Sequence, residues 1–397
     1  MPVAEGNVWG IYSNEVGFLA DQRLWQQRLK ASVNRKLCTR AFAAFNTNID
    51  AVVHLNGPQL EQILKAAEDD LWQSAPWKGA KLPSSVRTKA DFATVLYTQL
   101  QAGKSCHIVV EGPVLDWINS SFPQATESMG GQAGIIANQM AALGAEADVY
   151  TPLLSTRQAR LFHPAVQAPV IADDGSVSFL PVMAAANPNA AVKVNWIFEY
   201  AKGETFTFGD EQVVTPRANR VIMATRPKES VMAFAPEYQE HLVAMGERWQ
   251  VAFMAGYHYV TQAGTGDFDF VSYMDYTCQT LQKLTMRNPR LRLHYEYVPM
   301  KSKQLEAPVL RGISSHIHSL GINENEIRRA LYLLGQESLA ETIEAAEHAY
   351  SLYLGARSLL RTLGLQRLHV HNLGYYVVVL RRPYPLNLDD VVSASLY

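Results

Sequence analysis

The chain has 397 residues, enough to bury a large core in two lobes or domains. Its 48% hydrophobic and 18% charged content excludes a disordered or membrane-embedded protein, and a net charge of −2 argues against a nucleic-acid surface and makes any basic site a local one. Cys38, Cys106 and Cys278 lie far apart with no CxxC spacing, which argues against a disulfide framework or zinc site and fits a reducing, cytoplasmic setting.

No charged leader followed by an apolar run opens the chain, so no signal peptide is expected, and no apolar run reaches membrane-spanning length. Residues 1–38 read as an amphipathic helix, with Leu19, Leu24, Trp25 and Leu29 at helical intervals. Ala41–Phe45 reads as a buried strand that runs through Asn46-Thr47-Asn48-Ile49-Asp50. Asn48 and Asp50 are two apart, so an extended backbone points them the same way. An amide and a carboxylate on one face can grip adjacent sugar hydroxyls, though Asn and Asp also favour plain turns.

Residues 56–127 change character: helical patterns over Gln59–Leu71 and Lys89–Gln101 flank a loop near Trp77–Val86, as in an inserted lid. The glycine-rich stretch Gly130-Gly131-Gln132-Ala133-Gly134 then opens a helix. Glycine lets backbone approach a ligand and the first helical turn offers free N–H groups, but glycines also serve tight helix packing. Residues 165 to 226 turn to β: a hairpin at Asp173-Asp174-Gly175, a period-two strand over Lys193–Tyr200, and a strand over Asn219–Arg226. Alternation puts Arg220 and Arg226 on one face, where forked guanidinium bonds can hold phosphate or simply meet solvent.

From 230 onward strands and helices alternate, with apolar runs suited to a parallel sheet covered by helices on both faces. His294-Tyr295-Glu296 puts a histidine and a carboxylate on one strand face. Asn323-Glu324-Asn325-Glu326 opens a helix, and Asn323 with Glu326 suits a capping box. Glu296 and Glu326 also suit Mg²⁺, which takes one or two carboxylates and keeps its waters. The pairs His316/His318 and His369/His371 lack the cysteines that would favour zinc.

Taken together, the pieces resemble the ADP-dependent phosphofructokinase/glucokinase family of ribokinase-like sugar kinases. Those that match are Phe45–Ala51, Gly130–Asn138, Trp196–Tyr200, Asn219-Arg220, Ala255-Gly256-Tyr257, His294–Glu296 and Leu320–Glu326, all in family order. The resemblance implies a three-layer α/β/α large domain (1–50, 128–165 and 228–397) and a smaller, mainly β lid (51–127 and 166–227). It implies transfer of the β-phosphoryl of ADP to a sugar hydroxyl, giving AMP. Asn48, Asp50, Gly130, Gly131 and Gln132 would bind the sugar, and Asn219 would lie beside it. Glu296 and Glu326 would organise Mg²⁺, and Asn323 and His371 would border the nucleotide. Lys193, Arg220 and Arg226 resemble the basic group that holds a sugar 6-phosphate, with one arginine touching the transferring phosphate. Glucokinases would carry a glutamate where this chain has His107; both points favour fructose 6-phosphate over glucose. The partners implied are these small molecules, with no nucleic acid or membrane, for a monomer or small homo-oligomer.

One departure stands. The family's late GxGD motif, whose Asp is the proton acceptor, has no counterpart after His371. Gly264-Thr265-Gly266-Asp267 matches its letters but precedes the two acidic motifs, and reads as a surface loop with Asp267 as a helix cap. The readings left open are a fructose 6-phosphate kinase short of its catalytic segment, hence impaired or inactive, and a non-catalytic sugar-phosphate or nucleotide binder. An ADP-dependent glucokinase and an ATP-using relative are the further alternatives; the HxE and NxxE pair counts against the latter.

Overall fold

The computed structural model describes residues 15–33, 37–67 and 71–396. A nine-stranded sheet forms the larger body. From one edge its strands are Tyr376–Leu380, Arg367–His371, Ser319–Asn323, Arg292–Glu296, Val251–Ala255, Arg40–Phe45, Glu146–Tyr150, Gln167–Ile171 and Val177–Pro181. The seven inner strands run parallel and each edge strand is antiparallel to its neighbour. Arg40–Phe45 is apolar after its first residue because helices cover both its faces. On one face Phe42, Ala44, Met254, Tyr295, Leu320 and Leu368 join a core with helices that include Phe270–Thr285 and Glu324–Leu333. On the other, Ala43, Ala147 and Val149 meet Ala133 and Ala137 of the helix Gln132–Ala142. The small residues on both sides let that helix lie close to the strands.

A second sheet of six strands has the order Ser85–Val86, Cys106–Val110, Asn219–Ala224, Val194–Tyr200, Asn48–His54 and Thr126–Gly130. Its far face buries Ile49, Ala51, Val53, Trp196, Phe198, Val221 and Met223 in a separate core. The other parity, with Asp50, Asn195, Ile222 and His107, faces the larger body. The chain passes from one sheet to the other between Phe45 and Asn48, and returns at Gly130–Gln132.

Several sequence expectations change. The hairpin Gln167–Pro181, read as lid, extends the larger sheet, since Asp148 and Gln167 pair and draw it onto that edge. Asn48–His54 and Thr126–Gly130 fall in the smaller sheet, so its boundary begins before residue 51 and runs past 127. Of the helix expected over 1–38, Glu15–Val33 is helical, and residues 1–14 and 34–36 lie outside those described. Leu24, Trp25 and Leu29 are exposed rather than buried, as the helix lies at the surface. Residues 68–70, within the pattern over Gln59–Leu71, also lie outside those described; the helix there is Gly57–Lys65. Two separate helices, Glu337–Ala345 and Ala349–Thr362, follow in the later part of the chain, and His348 caps the second through its Nδ1.

Candidate active site

The crossing between sheets builds one corner of the site. Asn48 and Asp50 share the inner face of their strand, as their spacing predicts, and Asn48 Nδ2 donates to Asp50 Oδ1 at 2.7 Å. Asn195, on the neighbouring strand in register with Asp50, donates to the same oxygen at 3.0 Å. Burial raises the Asp50 carboxyl above its ordinary value, against the two amides and the charge of Arg220. Gly130 pairs with Asn48 across the sheet, and a Cβ there would overlap Asn48 Nδ2 and the Asp50 carboxyl. Gly131 sits at φ +75°, where a side chain is strained, and opens the helix that starts with Gln132. Gln132 Oε1 accepts from Asn46 Nδ2 at 2.6 Å. The buried Asn195 Oδ1 has no protein partner, so a donor from a bound molecule is what would satisfy it.

Beside this corner a cavity of about 800 Å³ opens between the two bodies, lined by Lys193, Arg226, Lys228 and Lys301 with His107, His258, Tyr259 and Gly264–Gly266. Among the described residues no carboxylate lines it. Lys193 is almost fully buried and donates to Asn46 Oδ1 at 2.8 Å. Burial, then the charge of Arg226, brings its ammonium down to about 7. The ring of Tyr259 carries both cations, Lys193 Nζ at 4.8 Å and the Arg226 guanidinium at 5.0 Å from its centroid. Arg226 lies past the end of its strand, which stops at Ala224. Arg220 shares the inner parity but stands further out; it is exposed and does not line the cavity. Asn219 has the opposite parity and is engaged elsewhere: its Nδ2 donates to Gly103 O and its Oδ1 accepts from Arg220 N.

The acidic motifs meet at the ends of adjacent strands. Glu296 Oε1 lies 2.7 Å from His294 Nε2 and packs on Gly321, where a Cβ would come within 2.7 Å of the carboxylate. Burial pushes Glu296 up, but the hydrogen bond and charge of His294 outweigh it and hold the carboxyl at about 2. Asn323 and Glu326 form the capping box: Asn323 Oδ1 accepts from Glu326 N at 2.9 Å, and Glu326 Oε2 accepts from Asn323 N at 2.8 Å. Burial, with the charge of Glu296, raises Glu326 to about 7. His371 ends the next strand opposite Asn323. Among the described residues no three of His, Cys, Asp or Glu converge as a metal-ligand set.

Gly264–Asp267 departs from the expected capping loop. Asp269, not Asp267, caps the helix Phe270–Thr285, accepting from Ser272 N at 2.7 Å. Two tight turns, Thr261 to Gly264 and Thr265 to Phe268, bring Gly264–Gly266 onto the basic cavity. Asp267 is exposed and lines a neighbouring cavity of about 530 Å³ with Tyr150, Lys228 and Phe234. Sequence reading missed Asn195, Tyr259, His258 and Lys301. Asn195 alone left a signal, as an inward polar residue on a period-two strand.

A helix-covered parallel sheet, bearing a smaller sheet across a cation-lined cleft, is the ribokinase-like architecture. Residues 39–394 match the conserved region of the ADP-specific phosphofructokinase/glucokinase family. An ADP-specific phosphofructokinase of Methanosarcina acetivorans is 30% identical over 390 residues, 94% of this chain and 77% of that protein. One of Thermococcus kodakarensis is 30% identical over 350 residues, 87% of this chain and 75% of that protein. Among solved structures, a hypothetical ADP-dependent phosphofructokinase from Pyrococcus horikoshii superposes with a TM-score of 0.78 at 26% identity, covering 90% of this chain and 79% of that one. An ADP-dependent kinase in complex with fructose-6-phosphate and ADPβS gives 0.74 at 28%, covering 97% and 78%. The chain belongs to the ADP-specific phosphofructokinase/glucokinase family.

Proposed function

We propose that this protein transfers the β-phosphoryl group of ADP to fructose 6-phosphate, giving fructose 1,6-bisphosphate and AMP. The observation that carries this reading is the cavity lined by Lys193 and Arg226 without a carboxylate, beside the hydroxyl-binding corner of Asp50 and Asn195. A free hexose needs no such cluster; a sugar phosphate dianion does. In this reading Asp50, Asn48 and Asn195 hold the sugar hydroxyls, with Gly130, Gly131 and Gln132 shaping the wall. Lys193 and Arg226 hold the 6-phosphate, and Arg220 swings in from the rim as the two bodies close. The lid then comprises the smaller sheet and its helices.

Glu296 and Glu326 would hold Mg²⁺ through its waters, and the ion would supply charge neutralisation at the nucleotide phosphates. The donor set fits: two carboxylates repel each other at the ends of adjacent strands, and oxygen ligands suit that ion. Asn323 and His371 flank them at the nucleotide side. The chain's own work is positioning and water exclusion, which dominate catalysis of phosphoryl transfer. No helix among the described residues is long and apolar enough to cross a membrane. The cytoplasmic setting we propose rests on the scattered cysteines, which fit a reducing compartment.

The proton acceptor for the sugar hydroxyl is the open role, and Asp267 is the residue to test. AMP formation from Mg-ADP and fructose 6-phosphate should be measured beside Asp267→Asn. Turnover lost in the variant assigns Asp267 as the base; turnover kept in both assigns another group. A chain that forms no AMP, yet melts higher with fructose 6-phosphate, is a sugar-phosphate binder and the kinase reading of this chain fails.

A further inference from the structure

We propose that His107 is a positioning residue, which accepts a hydrogen bond from Arg226 and so presents that guanidinium to the phosphate group of the bound sugar. The proposal rests on the sugar-phosphate reading of the cavity.

Arg226 follows the end of its strand and needs an anchor that regular backbone pairing no longer supplies. Three contacts provide it. Its Nη1 donates to the carbonyl of Thr225 at 2.8 Å, its face lies over Tyr259, and its Nη2 lies 2.9 Å from His107 Nε2. An arginine has donors only, so His107 Nε2 must accept. The ring is therefore neutral, with its proton on Nδ1. The surroundings favour that form: burial, then the charges of Arg226 and Lys301, bring the imidazole down to about 4. His107 itself is fixed on the strand Cys106–Val110, in register with Ile222 on the strand that leads to Arg226.

The chemical nature of this acceptor matters. A carboxylate here would grip Arg226 equally well but would cancel its charge towards an incoming anion. A protonated imidazole would repel it and offer no lone pair. A neutral acceptor orients the guanidinium and leaves its full positive charge and remaining N–H donors for the ligand. His107 acts through Arg226, so substitutions at the two positions should not add.

The test is calorimetric binding of fructose 6-phosphate to the unaltered chain, His107→Gln, His107→Leu, Arg226→Leu and the double variant with both leucines. Glutamine offers a neutral oxygen acceptor; leucine fills similar space and offers none. The dissociation constant should rise about tenfold in His107→Leu, the size expected for a hydrogen bond to a charged group. It should stay within about threefold in His107→Gln, and the double variant should bind no more weakly than Arg226→Leu alone. Equal losses in the glutamine and leucine variants, with unchanged melting temperatures, would overturn the positioning role. So would additive losses in the double variant, which would mean that His107 acts independently of Arg226. No binding of fructose 6-phosphate by the unaltered chain would overturn the sugar-phosphate reading and this proposal together, a result distinct from either of those.

Discussion

At the scale of single residues, Lys193 is the group whose chemistry depends most on its surroundings. Buried beneath Tyr259 and near Arg226, its ammonium sits at about 7 instead of above 10. At pH 8 it is therefore mostly neutral in the empty site. A sugar phosphate dianion beside it favours the charged form and raises the pKa again. Binding at pH 8 should take up to about one proton from buffer. At pH 6 Lys193 is already charged and its share of the uptake should vanish. Calorimetry in buffers of different ionisation enthalpy measures this directly; uptake that persists in Lys193→Met would assign it to another group. The spacing of Asn48 and Asp50 was readable from the chain because strand parity is local. The burial that shifts Lys193 was not, since it comes from Tyr259 and Asn46, each far away in the sequence.

At the scale of elements, the junction of the strand Thr126–Gly130 with the helix Gln132–Ala142 does two jobs at once. It brings backbone against the Asn48–Asp50 pair, and it turns the chain from the smaller sheet to the larger. Gly130→Ala puts a methyl group where Asn48 Nδ2 and the Asp50 carboxyl already are. Such overpacking should cost about 1–3 kcal/mol of stability. More diagnostic is the ligand: the variant should lose fructose 6-phosphate binding by tenfold or more while a nucleotide still raises its melting temperature, because the displaced groups are the ones proposed to hold the sugar hydroxyls. Loss of both responses would instead point to a collapsed junction. The capping box at Asn323 shows the limit of motif reading at this scale. Its letters serve a helix start and a carboxylate pair simultaneously, and the structure realises the first in full.

At the scale of the whole molecule, the two bodies meet through the crossing strands and a side-chain link. Arg157 of the larger body donates through Nε to Glu127 of the smaller sheet at 2.9 Å. Between them the cavity gathers Lys193, Arg226, Lys228 and Lys301 with no acidic residue in its lining among the described residues. Like charges across a cleft resist closure until an anion enters. Fructose 6-phosphate with ADP should therefore reduce the radius of gyration seen by small-angle X-ray scattering, and fructose alone should leave it unchanged. An identical scattering profile with and without the sugar phosphate would rule out closure.

By itself the sequence determined the alternation of strands and helices, the inward pair Asn48 and Asp50, the glycine turn at 130–131 and the cap at Asn323. Each of these depends on neighbours within a few residues, through strand parity, backbone freedom or a reach of one helical turn. The resemblance of ordered motifs also fixed the family. Only the tertiary structure decided which sheet takes the hairpin Gln167–Pro181, since either sheet offered an edge and pairing with Asp148 chose one. Only it placed Gly264–Gly266 on the cavity and left Arg220 and Asn219 off its lining. It also gathered His107, Lys193, Arg226 and Tyr259 into one charged site. The physical reason is common to all four. They stand on segments separated by tens of residues, and a charge or a lone pair gains its function from what the fold packs against it.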